Sequence, residues 1–291
     1  MSAPEPAPPP SWPAACPRTW LFAPADQQRK LDSALGSSAE AVIADLEDSV
    51  VTERKAHARE RALVFLTAGA APGAGGPMRV VRINDPLGQE GSRDLDALAH
   101  LPGAVLMVPK ATLASLERVR AAGPLSAIAL VESALGVAQA ESIAALAHVA
   151  ALALGTIDLS AELGLRALPD GLELLHVRSR IVLACALSGV PAIDGVYAAV
   201  GEAAGLAEEA RRARALGFAG KLCIHPAQLE PLRAALAPTP QELERARLTL
   251  AAYESARSGR RGAALLDGEM VDLASVRVAQ RVLGLASTDG E

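Results

Sequence analysis

The feature that most constrains the fold is a regular alternation of short apolar runs with longer alanine-rich helical stretches. Parallel strands need crossover connections, usually helices, so this alternation along most of the chain predicts βα units and a parallel sheet. Eight runs have the length and composition of buried strands: 19–23, 41–45, 79–84, 105–108, 127–131, 151–154, 192–194 and 221–224. The helical patterns between them include 52–66, 113–121, 176–188 and 206–216.

Eight such units suit a closed barrel of strands and helices. An open doubly wound sheet is the structural alternative, but it is typically marked by a glycine-rich phosphate turn after the first strand. Residues 23–26, Ala-Pro-Ala-Asp, form no such turn. We therefore predict an α/β fold, a (β/α)8 TIM barrel with a C-terminal helical extension. Aromatic residues make up only 2% of the chain, so the core must consist of Ala, Leu and Val.

Changes of composition at both ends indicate the domain organisation. Residues 1–16 are proline-rich and lack the basic start and apolar segment of a signal peptide, which predicts a disordered tail. Residues 17–256 are predicted to form the catalytic barrel domain. Residues 257–291 begin with a run rich in Arg and Gly and are too short for a domain of their own. We predict that they form a linker and an appendage that packs on the barrel or completes a neighbouring subunit's site.

Charge, hydropathy and cysteine content exclude several classes of partner. The net charge of -5 argues against nucleic acid as a main partner. No apolar run reaches the roughly 18 residues needed to span a bilayer. The three cysteines are odd in number and far apart, which suits a reducing compartment better than a disulfide framework. These observations predict a cytoplasmic protein with neither a nucleic acid nor a membrane partner.

Two acidic residues, Glu132 and Asp158, each lie just past an apolar run that reads as a buried strand. Residues at the carboxyl ends of parallel strands meet on one face of an α/β protein, where metals and substrates bind. Carboxylate oxygens are preferred ligands of hard divalent cations. The pair therefore predicts Mg2+ held by Glu132 and Asp158, with coordination positions left open for substrate.

Other charged residues follow the second and third strands. Asp45, Glu47 and Asp48 form an acidic cluster that is costly beside a dry core unless cations or donors balance it. Alternatively, Glu47 and Asp48 serve the dipole of the helix that begins at Thr52. The planar fork of Arg82 suits a substrate carboxylate or carbonyl, while a structural ion pair with Glu47 or Asp48 is the alternative.

Lys110 and His225 end the fourth and eighth strands and allow more than one interpretation. Lys110 is a candidate Schiff-base amine, but an ion-pair partner or a helix-start residue is the more common role. His225 is a candidate base or metal ligand. Because Pro226 restrains the backbone that follows, we favour a His225 that shapes the loop through a local hydrogen bond.

Seven short motifs follow one another along the chain, and their order is more informative than any one of them. They are RTWLFAP at 18–24, ADLEDSV at 44–50, VRIN at 81–84, VPK at 108–110, VESALG at 131–136, LGTIDL at 154–159 and GFAGKLCIHPAQ at 217–228. Together they resemble the HpcH/HpaI aldolase/citrate lyase family, and within it the citrate lyase β-subunit group. Members of this family are (β/α)8 barrels that cleave or form a carbon–carbon bond in hydroxyacyl thioesters.

The resemblance implies roles for individual residues. Glu132 and Asp158 would hold Mg2+ and, through it, the substrate. Arg82 would act in catalysis and binding by contacting the oxo-acid or thioester oxygen. Phe22 falls where the family lines the thioester pocket.

The C-terminal residues 268–272, Gly-Glu-Met-Val-Asp, resemble a family element that ends in a catalytic aspartate. In malyl-CoA-type members this aspartate reaches into the neighbouring subunit's site as the acid/base. The resemblance therefore implies that Asp272 is catalytic and that the protein is a homotrimer or a dimer of trimers.

The function implied is an Mg2+-dependent lyase for a 3-hydroxyacyl-CoA such as malyl-CoA or citramalyl-CoA, giving a short acyl-CoA and a 2-oxo acid. Gln27 and Ser33 replace basic residues that meet coenzyme A phosphates in the family, although Arg29 and Lys30 could compensate. Three alternatives stay open. They are the citryl-thioester lyase β subunit of a citrate lyase complex, a CoA-free hydroxy-oxo-acid aldolase, and a degenerate non-catalytic binder.

Overall fold

The computed structural model describes residues 16–68, 76–168, 170–259 and 262–287. The predicted disordered tail, residues 1–16, lies outside this part of the chain except for Cys16. By its internal contacts the chain divides into two units, Met1–Ala235 and Leu236–Glu291. Within the described ranges, no helix is both long enough and apolar enough to cross a membrane.

The first unit is a closed barrel of eight parallel strands, in which each strand pairs with the next and β8 pairs with β1. This confirms the predicted (β/α)8 fold. The strands are β1 (Thr19–Pro24), β2 (Ala41–Asp45), β3 (Met78–Arg82), β4 (Val105–Val108), β5 (Ser126–Val131), β6 (Val149–Leu154), β7 (Ala192–Asp194) and β8 (Gly220–Cys223).

Helices follow the strands and cover the outside of the sheet, as the alternation predicts. They are α1 (Gln28–Leu35), α2 (Lys55–Thr67), α3 (Gln89–Leu98), α4 (Leu113–Ala122), α5 (Ala134–Ala138), α6 (Ala140–Ala144), α7 (Thr156–Leu163), α8 (Leu175–Ser188), α9 (Ala203–Leu216) and α10 (Leu229–Leu236). Short 3-10 turns span Thr52–Arg54, Leu172–Leu174 and Pro226–Gln228.

Aliphatic side chains dominate the barrel interior, as the scarcity of aromatic residues requires. Ile43, Met107 and Ile128 are fully buried in one cluster with Ala151 and Trp20. Trp20 is the exception to the aliphatic rule, and its indole N–H is satisfied by the carbonyl of Pro17 at 2.6 Å. Small residues such as Ala151 leave room for that large ring, consistent with native packing density.

A buried ionic network joins β7 to β8. The Nζ of Lys221, which is 0% exposed, donates to Asp194 and to Glu209, each at 2.6 Å, and Arg178 Nε donates to Asp194 at 2.9 Å. Charges buried this deeply are tolerated only when they are paired and hydrogen-bonded. Lys221 and Arg178 accordingly lower the pKa of Asp194 against the opposing effect of burial.

The second unit contains α11 (Pro240–Ser258), the antiparallel hairpin of β9 (Ala264–Leu266) and β10 (Glu269–Val271), and α12 (Leu273–Ser287). The barrel domain predicted from the sequence, residues 17–256, includes the long helix, whereas the contacts group α11 with the C-terminal elements. Thr239 begins α11 with a capping box to Glu242, the usual start signal of a helix.

Candidate active site

A cavity of about 640 Å³ opens at the carboxyl ends of the barrel strands. Phe22 of β1, Arg82 at the end of β3, Glu132 just after β5 and Asp158 beyond β6 all line it. The four residues that the sequence analysis placed in the barrel site are therefore neighbours around one cavity. Asp45 also lines the cavity. The sequence did not distinguish this residue from its acidic neighbours Glu47 and Asp48.

Asp45 is the main partner of Arg82. The guanidinium donates from Nε and Nη2 to the two oxygens of Asp45, both at 2.7 Å, and Nη1 lies 3.1 Å from Glu47 Oε2. Its carbon lies 4.8 Å from the centre of the Phe22 ring, a cation–π distance. Arg82 is thus both an ion-pair partner and a cavity residue, so the two interpretations of its role are compatible.

The segment after β2 folds around the Asp45 carboxylate. Asp45 Oδ1 accepts from the Glu47 N–H at 2.9 Å, and Oδ2 accepts from the Ser49 N–H at 3.1 Å. Burial alone would raise the pKa of Asp45, but Arg82 and these backbone donors hold it below its ordinary value. Asp45 is therefore an ionised anchor for Arg82.

Glu132 is 3% exposed and lies close to the start of the segment after β6. Its Oε1 accepts from the backbone N–H of Lys110 at 2.7 Å. A Cβ at Gly155 would lie 2.4 Å from Glu132 Cβ and 2.5 Å from Oε2, a separation that real Cβ atoms do not show. Glycine at position 155 is therefore what lets the Glu132 carboxylate occupy this place.

Burial, together with the charges of Glu47 and Asp158, raises the pKa of Glu132 to about 8. Burial likewise raises the pKa of Glu47 to about 7, and its Oε2 is buried with no hydrogen-bond partner among the described residues. Such crowding of carboxyl groups costs free energy unless a proton or a cation compensates it. The electrostatics of the site thus fit a divalent cation.

Asp158 lies in the first turn of α7, because the helix begins at Thr156 rather than after the acidic residue. Its side chain is exposed and lines the cavity together with Glu132, whose pKa its charge helps to raise. In the described ranges, no group of three or more His, Cys, Asp or Glu side chains could hold a metal ion. Glu132 and Asp158 are the two carboxylates predicted to bind Mg2+, and two such ligands would leave coordination positions for water and substrate.

Lys110 and His225 differ in their relation to the cavity. The Lys110 side chain is exposed and is not among the cavity-lining residues within the described part of the chain, while its backbone N–H binds Glu132. His225 lines the cavity, and its Nδ1 accepts from the Ala227 N–H at 3.1 Å. This is the local hydrogen bond expected of a loop-shaping histidine, and it leaves the hydrogen of the neutral ring on Nε2.

Asp272 belongs to the second unit, where it precedes α12. Its Oδ1 accepts from the N–H of Ser275 at 3.0 Å and from the Ser275 hydroxyl at 3.1 Å. These hydrogen bonds lower the pKa of Asp272, so the carboxyl group is ionised at neutral pH. Two neighbouring side chains, Met270 and Leu273, are more than half exposed.

A closed (β/α)8 barrel with carboxylates and a buried arginine around the cavity at its strand ends defines this protein as a barrel enzyme with an acidic site. Residues 18–226 match the family model of the HpcH/HpaI aldolase/citrate lyases. The chain belongs to this family of aldolases and citrate lyases, and the predicted resemblance is confirmed.

Several relatives align along nearly the whole chain. A (3S)-malyl-CoA thioesterase of Cereibacter sphaeroides is 36% identical over 271 residues, covering 92% of this chain and 94% of the relative. A citrate lyase subunit beta-like protein of Mycobacterium tuberculosis is 38% identical over 271 residues, covering 91% of this chain and 93% of the relative.

Solved structures show the same fold. The crystal structure of the CitE protein of Mycobacterium tuberculosis, in complex with magnesium, acetoacetate and coenzyme A, superposes with a TM-score of 0.78. That protein is 38% identical, and the match covers 94% of this chain and 99% of the other. A citrate lyase beta subunit from the same organism, complexed with oxaloacetate and magnesium, has a TM-score of 0.67 and covers 77% of this chain and 98% of its own.

Proposed function

We propose that this protein is an Mg2+-dependent carbon–carbon lyase for a 3-hydroxyacyl-CoA such as malyl-CoA or citramalyl-CoA. The observation that carries the proposal is the arrangement of Glu132, Asp158 and Arg82 around one cavity. Support also comes from the relatives, because the CitE structure is a complex with magnesium and coenzyme A. Glu132 and Asp158 would hold Mg2+, which when bound would neutralise charge on the substrate oxygens.

Arg82 would bind an oxygen of the substrate through a single nitrogen. Asp45 accepts from Nε and Nη2, whereas Nη1 forms longer ion pairs with Glu47 at 3.1 Å and Asp48 at 3.6 Å. The Asp45 pair thus fixes the plane of the guanidinium, and Nη1 would exchange its ion-pair contacts for an oxo-acid or thioester oxygen. Such a preorganised cationic donor stabilises oxyanion charge as it develops.

In the cleavage direction, the β-hydroxyl loses its proton and becomes the oxo group of the 2-oxo acid. The bond between the α and β carbons breaks, and its electron pair forms the enolate of the acyl-CoA, which then takes up a proton. Asp272 of a neighbouring subunit would accept the hydroxyl proton and return a proton to the enolate.

This role for Asp272 requires a homo-oligomer, a homotrimer or a dimer of trimers. Support comes from the second unit, where four large apolar side chains are more than half exposed in the single chain. They are Leu265, Met270, Leu273 and Val278. Leu265 and Met270 are cross-strand partners in the hairpin, and neighbouring exposed apolar groups commonly mark a protein–protein contact. The assembly would work in the cytoplasm, as the sequence analysis predicts.

The coenzyme A part of the substrate would lie towards α1. Lys30 and Ser33 of that helix line the cavity, so a basic residue is present although Ser33 replaces the usual lysine. Phe22 contributes an apolar wall beside Arg82. This supports the compensation suggested by the sequence.

Hydrolysis of the thioester is a second candidate function, favoured by the 36% identity to a (3S)-malyl-CoA thioesterase. The two activities give different products from one substrate. Lysis of malyl-CoA releases a 2-oxo acid and leaves the thioester intact, whereas hydrolysis releases free thiol and malate. A third product pattern, cleavage of a free hydroxy-oxo acid alone, would indicate the CoA-free aldolase.

The test is to incubate the purified protein with Mg2+ and either malyl-CoA or citramalyl-CoA. Oxo acid is trapped as its phenylhydrazone, and free thiol is measured in parallel. We expect oxo acid without an equivalent of thiol, and no reaction after EDTA treatment until Mg2+ is restored. Thiol release without oxo acid would replace the lyase by the thioesterase, and no reaction of either thioester would overturn both.

A further inference from the structure

We propose that Lys55 is a positioning residue. It holds the backbone of the acidic segment, residues 45–50, and thereby sets the partners of Arg82. The structural part of this proposal is based on the contacts of Lys55, and the predicted effect on catalysis rests on the proposed function. Lys55 is not among the described residues that line the cavity, so it would act through the segment rather than on substrate.

The ammonium group of Lys55 uses all three of its hydrogens. Nζ donates to the carbonyl of Leu46 at 2.9 Å, to the carbonyl of Glu47 at 3.0 Å and to Asn84 Oδ1 at 2.5 Å. An ammonium group has three donors, so this set satisfies it completely. The two carbonyls belong to consecutive residues of the acidic segment. Lys55 therefore binds the main chain of this segment.

The helix dipole does not explain this lysine. Lys55 is the first residue of α2, and a cation in the first turn is disfavoured by the dipole. A glutamate or aspartate would suit that position better on helix electrostatics alone. The benefit of the lysine must therefore come from the three acceptors that it reaches.

A chain of hydrogen bonds orients Asn84, the side-chain acceptor of Lys55. The backbone N–H and the Nδ2 of Asn84 both donate to Asp94 Oδ2, at 2.8 and 2.7 Å, which turns Asn84 Oδ1 towards Lys55. Asp94 is fully buried and accepts in turn from Arg59 Nε at 2.8 Å. The ammonium is thus located by α2, α3 and the end of β3 together.

Arg82 contacts the same acidic segment through the side chains of Asp45 and Glu47. Asp45 at the start of the segment receives the two guanidinium bonds, and Glu47 lies 3.1 Å from Nη1. Lys55 binds the main-chain carbonyls of Leu46 and Glu47 in this segment. Loss of the ammonium would leave two carbonyls without this donor and allow Glu47 to move relative to Nη1.

The experiment compares Lys55→Met with Arg61→Met. Both residues are cations of α2, but among the described residues Arg61 bonds only to Gln28, at 2.9 Å, on the exposed surface. We expect amide hydrogen exchange across residues 46–50 to become faster in Lys55→Met and to stay as in the wild type in Arg61→Met. The kcat of Lys55→Met should fall about 10- to 100-fold, the scale of a misplaced catalytic group, with a smaller change in KM.

A rescue experiment guards against a general folding defect. Lys55→Cys is treated with 2-bromoethylamine, which attaches an ammonium group through a thioether and rebuilds a lysine-like side chain. Recovery of both slow exchange and kcat supports the proposal, with the alkylated wild type as the reference for the other cysteines. Unchanged exchange in Lys55→Met, or exchange that recovers without kcat, would overturn it.

The same data separate this proposal from the proposed function. If the wild type cleaves neither thioester but exchange at 46–50 still depends on Lys55, the proposed function fails and the structural role stands. If the wild type is active and exchange is independent of Lys55, the positioning role fails and the function stands.

Discussion

The guanidinium of Arg82 and the carboxylate of Asp45 meet through two parallel hydrogen bonds of 2.7 Å at the ends of neighbouring strands. The strands β2 and β3 place these residues opposite each other in register, so the pair is part of the barrel as well as of the site. A bidentate pair of this kind fixes the plane of the arginine in a way that a single contact cannot. Two of the three nitrogens are thereby committed before any substrate arrives.

Removal of Asp45 should therefore affect both stability and activity. Asp45→Ala leaves the mostly buried Arg82 without its main partner, and loss of one member of a buried pair costs about 3–5 kcal/mol. We expect a free energy of unfolding lower by about that amount in urea titrations, together with a large loss of kcat/KM. Glu117→Ala is the matched control, because Glu117 pairs with Arg120 on the exposed surface of α4. An equal effect of the two changes would contradict the role of Asp45.

Gly155 should be essential for the metal site although it has no side chain. Its φ of -91° and ψ of 85° do not require glycine, but an added Cβ would meet Glu132 Cβ at 2.4 Å. Gly155→Ala should therefore displace Glu132 and weaken Mg2+ binding by about 10- to 100-fold, the scale of a disturbed ligand. Mn2+ titration followed by electron paramagnetic resonance measures this directly.

Gly201→Ala is the control for that substitution. Beyond its own chain neighbours, no described residue has an atom within 4 Å of the position that its Cβ would take, so metal binding and activity should match those of the wild type. Wild-type affinity in Gly155→Ala would show that Glu132 does not need its observed place to bind the ion.

The stability of the metal-free protein should fall as pH rises. The pKa of Glu132 is raised from an ordinary value of 4.5 to about 8, so the folded state binds more protons than the unfolded state between these values. Unfolding free energy therefore decreases from about pH 4.5 towards pH 8 and then levels off. Glu47, with a pKa raised to about 7, acts in the same direction over the lower part of this range.

Thermal unfolding in EDTA between pH 5.5 and 9 tests this slope, with Glu132→Gln expected to flatten it. Because Mg2+ competes with the proton on Glu132, its affinity should also rise with pH, by up to about tenfold per unit below pH 8. A metal affinity independent of pH in this range would exclude Glu132 as a ligand that must lose a proton.

Subunit mixing tests the role of Asp272. Asp272→Asn keeps the cap of α12, since asparagine accepts the Ser275 hydrogen bonds as well as aspartate does. Asp272→Asn and Glu132→Gln should each lose most activity while remaining folded. Oligomers reassembled from both variants should regain part of it, because some sites then combine an intact Glu132 with an intact Asp272 of another subunit.

No recovery in the mixed oligomers, despite subunit exchange shown by native mass spectrometry, would place Asp272 in the site of its own chain. A wild-type protein that remains monomeric in light scattering would contradict the shared site altogether. Light scattering thus tests the oligomeric state, and subunit mixing tests the catalytic role of Asp272.

Much of the barrel could be predicted because its signals are local. An apolar run of three to six residues followed by a helical stretch identifies each βα unit, and the strand limits at 41–45 and 105–108 agree with β2 and β4. Glu132 and Asp158 could be found in the same way, because each directly follows such a run. The motifs added the family and, through it, the candidates Phe22 and Asp272.

The sequence by itself thus determined the eight-unit barrel and the acidic residues at its strand ends, because periodicity and strand length act over short distances along the chain. Only the tertiary structure decided which polar and charged side chains meet. Lys221 pairs with Asp194 and Lys55 with Asn84, residues separated by 27 and 29 positions. Contacts of this kind depend on strand register and helix placement, which are fixed by the closed barrel as a whole, so no local pattern of residues specifies them.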